Sequence, residues 1–323
     1  YDSYWPCMRQ LHSQMDPVEL VKILIVGRSG VGKTHALTGL DGLWYFTHEP
    51  DGIPVVRAEN RSARIFMLED SLDDYGKMKN LLYAEHDACG GKGCQACRFT
   101  SLQAAADGCR AVGYDSLSEA QRICLNHASD VNGKRRKSPL PDGAFDELDY
   151  NLSYYYLTRL LSMFRGVSIP MFLLAHAQEP EPSINLPTGG TARYVRWHIP
   201  GKGFDSKIPR YFTAIGGLHH RIGPPEQRAV VFDPTVLWAD RMFRVKGMAG
   251  LRAVERPEPA SWLKSIGAAL RGDLGDSQAE APDVDVTRIT APEDHTFIEE
   301  DTSMTDKTSD PSQPKAPAFS VPD

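Results

Sequence analysis

The sequence predicts an α/β fold: a mostly parallel sheet flanked by helices, carrying a small Cys-rich insertion and an acidic tail. Three observations predict it. The mostly apolar, β-branched run Val21–Val26 leads straight into a Gly-rich octapeptide, and a helical stretch follows. Further strand-like runs then alternate with segments of helical spacing as far as Ala175. Finally, 323 residues suffice for a full α/β core with a tail to spare. Such alternation implies helices on both faces of the sheet, with ligands at the carboxyl ends of its strands.

Each element has its own signal. After Val21–Val26, a helix is expected over His35–Leu40, then a second buried strand over Leu43–Thr47, ending in His48-Glu49-Pro50-Asp51-Gly52. Arg64–Leu68 reads as another strand. Ser71–Ala84 has helical spacing behind the start signal Ser71-Leu72-Asp73-Asp74. Cys109–Tyr114 reads as a strand that delivers Asp115-Ser116, and a helix is expected from Leu117 to about Val131. A basic loop comes next, then a strong helix over Leu148–Phe164 and a strand over Val167–Ala175. The segment Asn185–Lys207 reads as a long loop. The resulting division is an N-terminal extension over 1–18, a core over 19–270 with the insertion at 86–98, and a tail over 271–323.

The octapeptide Gly27-Arg28-Ser29-Gly30-Val31-Gly32-Lys33-Thr34 is a complete G-x-x-x-x-G-K-[ST] phosphate-binding loop. Its glycines let the main chain wrap a polyphosphate so that successive N–H groups face the oxygens. The following helix adds partial positive charge there. Lys33 is expected on the β- and γ-phosphates and the Thr34 hydroxyl on Mg²⁺. These residues make nucleotide binding the expectation.

Hydrolysis needs a second carboxylate for Mg²⁺ at a strand end beside the loop. Asp115 suits that role; its alternative is to cap the Leu117 helix, a task Ser116 also suits. An attacking water needs a base or orienting group. Glu49, leaving the strand next to the loop, is the candidate, with a solvated turn acid as its alternative. His176 and Gln178, just past the Val167–Ala175 strand, are candidate sensors of the γ-phosphate or ordinary surface groups.

The insertion contains His86, Cys89, Cys94 and Cys97 between glycines, a set able to close a tetrahedral Zn²⁺ site of structural type. Cys94-x-x-Cys97 is the stronger half. The fourth ligand stays open among His86, Asp87 and a distant cysteine.

Two segments are candidates for nucleic acid. Lys134, Arg135, Arg136 and Lys137 are consecutive cations. Arg193 and Arg196 alternate with Tyr194 and Trp197, which offers phosphate contacts and stacking surfaces for unpaired bases. Both also read as solvated loops. Arg241, Arg244 and Lys246 are candidates to reach a neighbouring subunit's phosphates.

The net charge of −6 is unevenly distributed. Gly272–Asp323 carries 13 acidic and 3 basic residues, a net of −10, leaving the other 271 residues at +4. This Pro-, Ser- and Thr-rich segment is expected to be disordered, and to compete with nucleic acid, recruit a protein partner or simply solubilise the chain. No apolar run approaches the ~20 residues that span a membrane. Six cysteines, three of them bunched, suit a reducing compartment, so the expectation is cytoplasmic.

Several of these pieces resemble the RecA-like fold of phosphate-loop NTPases: Gly27–Thr34, Glu49 after the second strand, Tyr114-Asp115-Ser116-Leu117-Ser118-Glu119, Phe172-Leu173-Leu174-Ala175-His176, and Pro200-Gly201-Lys202-Gly203 with Ile208-Pro209. With Ala239-Asp240-Arg241, they look like the compact phage-encoded RecA-core ATPases. These are often labelled AAA-family and are linked to single-strand annealing and recombination. The likeness spans about Val21–Gly267. It implies ATP hydrolysis with Mg²⁺, single-stranded DNA as partner, homo-oligomeric rings or filaments, and host cytoplasm if phage-encoded. By position it implies Glu49 as catalytic glutamate, Asp115 as the magnesium-associated aspartate, and His176 or Gln178 as sensor. The Cys-rich insertion and the long loop after His176 depart from that family's pattern. Two other readings remain: an ATP-switched assembly protein with negligible turnover, and a small-molecule kinase, for which no Arg-rich lid is visible.

Overall fold

Residues Lys22–Gly27 form strand β1, and their alternation explains its central position. Leu24 and Val26 enter one hydrophobic core, while Ile23 and Ile25 enter another on the opposite side. A strand apolar on both faces must be covered on both. The computed structural model describes residues 16–82, 104, 107–136, 140–141, 144–179, 181–186, 189–198, 204, 206–221, 227–238, 241–273 and 287–288. The chain divides into two units, Tyr1–Ala291 and Pro292–Asp323, and the fold belongs to the first. The expected zinc ligands His86, Cys89, Cys94 and Cys97 lie outside the described residues, as do Lys137, residues 1–15 and nearly all of the acidic tail.

After β1 come α1 (Lys33–Leu37), β2 (Leu43–Thr47), α2 (Ile53–Glu59), β3 (Arg64–Met67) and α3 (Leu72–Leu82). Next are β4 (Ala111–Asp115), α4 (Leu117–Gly133), α5 (Glu147–Gly166) and β5 (Met171–His176). The later strands are β6 (Ser183–Asn185), β7 (Thr191–Val195), β8 (Ala214–Arg221), β9 (Gln227–Val231), β10 (Val236–Leu237), β11 (Arg241–Phe243) and β12 (Val254–Glu255). Helix α6 (Pro259–Arg271) and β13 (Thr287–Arg288) complete the order.

Among the described residues, an eight-stranded sheet runs β12-β9-β8-β1-β5-β4-β2-β3. From β3 to β8 every pairing is parallel, and β9 and β12 add an antiparallel edge. The fold is therefore α/β with a mostly parallel sheet flanked by helices. Leu117, Ala120 and Cys124 of α4 and Leu157, Leu161 and Phe164 of α5 cover one face. Leu37 of α1, Val56 of α2, and Trp262 and Ile266 of α6 cover the other.

Caps fix where the helices begin. The Ser116 hydroxyl accepts from the Glu119 N–H at 3.3 Å, so Ser116 rather than Asp115 caps α4. Asp146 and Asp149 form a reciprocal capping box at the start of α5. The segment expected as one loop over Asn185–Lys207 contains a strand instead. Its β7 pairs antiparallel with β6 and parallel with β11 in a separate small sheet, burying Ala192 and Met242. Among the described residues no helix is long and apolar enough to cross a membrane.

Candidate functional site

The Gly27–Thr34 loop joins the carboxyl end of β1 to α1, and its bends require two left-handed glycines. Gly30 has φ 74° and Gly32 φ 97°, angles that cost an L side chain energy. Within this loop the Lys33 side chain is buried and curls back, its Nζ donating to the carbonyls of Gly27 and Arg28 at 2.9 Å each. Burial lowers the pKa of its ammonium, and the charges of Asp115, Glu49 and Glu179 oppose that shift.

Parallel pairing brings two further strand ends to the same place. β4 lies between β5 and β2, with Thr47 opposite Asp115. Asp115, buried at the end of β4, accepts through Oδ2 from the Thr34 hydroxyl at 2.8 Å and the Tyr45 hydroxyl at 2.6 Å. Burial raises the pKa of this carboxyl, against the hydrogen bonds from Tyr45 and Thr34 and the charge of Lys33. A buried carboxylate beside a threonine hydroxyl is a hard-oxygen pair of the kind that holds Mg²⁺ with water and phosphate. The donor chemistry therefore fits Mg²⁺.

Glu49 follows β2 by two residues. Its Oε1 accepts from the Ser116 hydroxyl at 3.0 Å and from His176 Nε2 at 3.1 Å. The His176 bond is the main cause of a lowered Glu49 pKa, and Ser116 and Lys33 add to it while burial opposes. His176, the last residue of β5, is itself tethered, its N–H donating to the Ser118 hydroxyl at 3.0 Å. Glu49 and His176 thus meet across 127 residues of chain.

Gln178 faces elsewhere. Its side-chain oxygen accepts from Arg196 Nε, and its N–H donates to the Arg196 carbonyl at 2.8 Å. A continuous path links the end of β5 to the end of β7: Glu49 to His176, then Gln178 to Arg196.

Three parts of the site were not anticipated. In the sequence Tyr45 reads only as strand core, yet its hydroxyl bonds the acid. Ser118 anchors His176, and Glu179 pairs with Arg28 at 2.7 Å. Burial of Tyr45 raises the pKa of its phenol well above the ordinary value, so it acts as a donor. Only the alternation of β2, which puts Tyr45 and Thr47 on one face, pointed toward such a role.

The basic segments are more heavily committed within the chain than expected. Arg136 pairs with Asp146 at 3.0 Å and with the buried Asp149, tying α4 to α5, while Lys134 and Arg135 are exposed. Trp197 is 2 % exposed and lies beneath the Arg244 guanidinium, 4.6 Å from the ring centre. A buried ring cannot stack on a base, which corrects the stacking role expected for it. Tyr194 packs against the small core of Ala192 and Met242, and Arg193 is exposed. The cations expected to reach a neighbouring subunit have partners within the chain: Arg241 donates to Glu181 at 3.0 Å, and Lys246 to the carbonyls of Phe212 at 2.7 Å and Pro209 at 3.3 Å.

Among the described residues, no cluster of three or more His, Cys, Asp or Glu side chains is arranged to hold a metal. No protein-family model and no curated protein matches the chain.

Proposed function

We propose that this chain is a RecA-like ATPase that binds ATP with Mg²⁺ at Gly27–Thr34 and acts on single-stranded DNA in recombination, repair or replication. The observation that carries the proposal is the convergence of Lys33, the Thr34–Asp115 pair and Glu49 on one loop at the carboxyl edge of a parallel sheet. A chance Gly-rich turn would not gather two strand-end carboxylates beside its lysine.

In this reading Lys33 leaves the Gly27 and Arg28 carbonyls and pairs with the β- and γ-phosphate oxygens. Its depressed pKa, caused by burial, is restored by that anionic partner. Thr34 and Asp115 would hold Mg²⁺, which when bound would supply positive charge to the phosphates. Glu49 orients the attacking water and accepts its proton, and remains ionised for the task because His176 and Ser116 donate to it. His176 is a positioning residue: through Glu49 it ties hydrolysis to β5, and Gln178 then extends the link to Arg196. The exposed Arg193, Lys134 and Arg135 supply phosphate contacts for the DNA strand. Self-assembly and a zinc-closed insertion remain parts of the same proposal.

A second reading, in which ATP switches assembly with negligible turnover, draws on the engagement of Glu49 by Ser116 and His176. One experiment separates them: ATP hydrolysis by the purified protein with and without single-stranded DNA, with Lys33→Ala as blank. Glu49→Gln is expected to keep ATP binding and lose about 100-fold or more in turnover. Binding with no Glu49-dependent turnover favours the switch, and Lys33-dependent hydrolysis indifferent to DNA removes DNA from the proposal.

A further inference from the structure

The β8–β9 hairpin stands directly beside the phosphate loop. β8 pairs with β1 as far as Val26 opposite Gly217, then runs on to Arg221, past the point where β1 turns into the loop. β9 returns along this extension, setting Arg228 opposite His220. From there the Arg228 side chain reaches back across the loop. A Cβ on Gly32 would lie 3.1 Å from Arg228 Nη1, 3.6 Å from Cζ and 3.9 Å from Cδ. The guanidinium therefore lies along the main chain of the residue preceding Lys33.

Among the described residues its charge is not spent on an ion pair: Arg228 pairs with no carboxylate, and its side chain is exposed. Arg28 in the same loop is already engaged by Glu179 at 2.7 Å. A cation held against a loop that carries another buried cation, Lys33, raises the energy of that corner unless an anion lies between them. Burial first, then the charges of Arg241, His220 and Arg28, push the pKa of the neighbouring His219 down to about 4.

We propose that Arg228 is a further nucleotide-binding residue, a guanidinium supplied by the same chain that contacts the phosphate chain of the bound triphosphate from the β9 side. This rests on the phosphate-loop reading and adds to it a contact remote in sequence. The planar guanidinium presents several N–H groups to one phosphate, a geometry lysine cannot reproduce.

The test is binding by the full chain, measured calorimetrically with Mg²⁺, using two probes: ATP and inorganic tripolyphosphate. Arg228→Ala is expected to weaken both by about tenfold, and Arg228→Lys to weaken both by less. Its exposed position means Arg228→Ala should fold normally, to be verified by an unchanged melting curve. Loss for ATP with no loss for tripolyphosphate would overturn the phosphate contact and move Arg228 to the base. Unchanged binding of both by Arg228→Ala, with binding abolished by Lys33→Ala, overturns this inference and leaves the phosphate loop standing. A wild type that binds neither probe overturns both.

Discussion

Glu49 shares one carboxylate oxygen between the Ser116 hydroxyl and the His176 imidazole, and that sharing sets how its activity should depend on pH. The His176 bond is the largest cause of its lowered pKa, so the carboxylate stays charged at a pH where an ordinary glutamate would already be protonated. His176→Ala removes that donor, and the Glu49 pKa rises toward the ordinary value. The acidic limb of the kcat profile should therefore move to higher pH in His176→Ala, and His176→Gln, which keeps an N–H donor, should restore part of the difference. Superimposable profiles would refute the positioning role. Lys22 offers a stability counterpart far from this chemistry. Its Nζ is buried and donates to the carbonyls of Glu19, Val21 and Ile169, and burial lowers its pKa to about 7. An unfolded lysine keeps its proton up to its ordinary pKa of 10.5, so between those values the unfolded state binds more protons and stability rises with pH. Each unit of pKa difference corresponds to about 1.4 kcal/mol. Thermal melting should thus rise from pH 7 to pH 9 in the wild type, with the slope reduced in Lys22→Met.

At the scale of elements, legibility followed sequence locality. Strand β2 is expected over the residues it occupies because its apolar run is uninterrupted, and α4 and α5 to within a few because each begins at a cap and keeps its apolar period. Helix α2 was hidden by its Pro-Asp-Gly approach and by Pro54, which reads as turn but occupies a first-turn position where its missing N–H is harmless. Strands β6 to β9 were hidden for other reasons. β6 and β7 are short and flanked by Gly and Pro, while β8 carries Gly216-Gly217 at its middle, which argues against a strand in isolation. Packing explains that pair. A Cβ on Gly217 would fall 2.1 Å from Cδ1 of the buried Phe243. The glycine lets β11 close over β8, a contact no local pattern announces. Gly217→Ala should lower the denaturant midpoint, with a cost of about 1–3 kcal/mol for overpacking. An unchanged midpoint would show that Phe243 has room to move.

Across the whole molecule, the candidate site was legible where chemistry is local and illegible where it depends on folding. The Gly27–Thr34 motif and the acids at the ends of β2 and β4 could be read directly; the Tyr45–Asp115 and His176–Glu49 bonds join residues 70 and 127 apart. Charge distribution is the long-range property the sequence does declare. Pro292–Asp323 holds eight acidic and two basic residues, a net of −6, so a chain ending at Ala291 has a net charge of zero. If that acidic segment competes with nucleic acid for the exposed cations Lys134, Arg135 and Arg193, removing it should tighten binding to single-stranded DNA. The gain belongs to screened Coulomb attraction and must shrink with salt, because the Debye length falls from about 14 Å near 0.05 M to about 7 Å near 0.2 M. Fluorescence anisotropy with an oligothymidylate probe tests this. The chain ending at Ala291 is expected to bind several-fold more tightly than the full chain at about 0.05 M salt, with the gap closing by about 0.2 M. Equal affinities at low salt would leave the tail as a solubilising segment, and a gap that persists at high salt would mean the tail blocks the surface by contact rather than by charge.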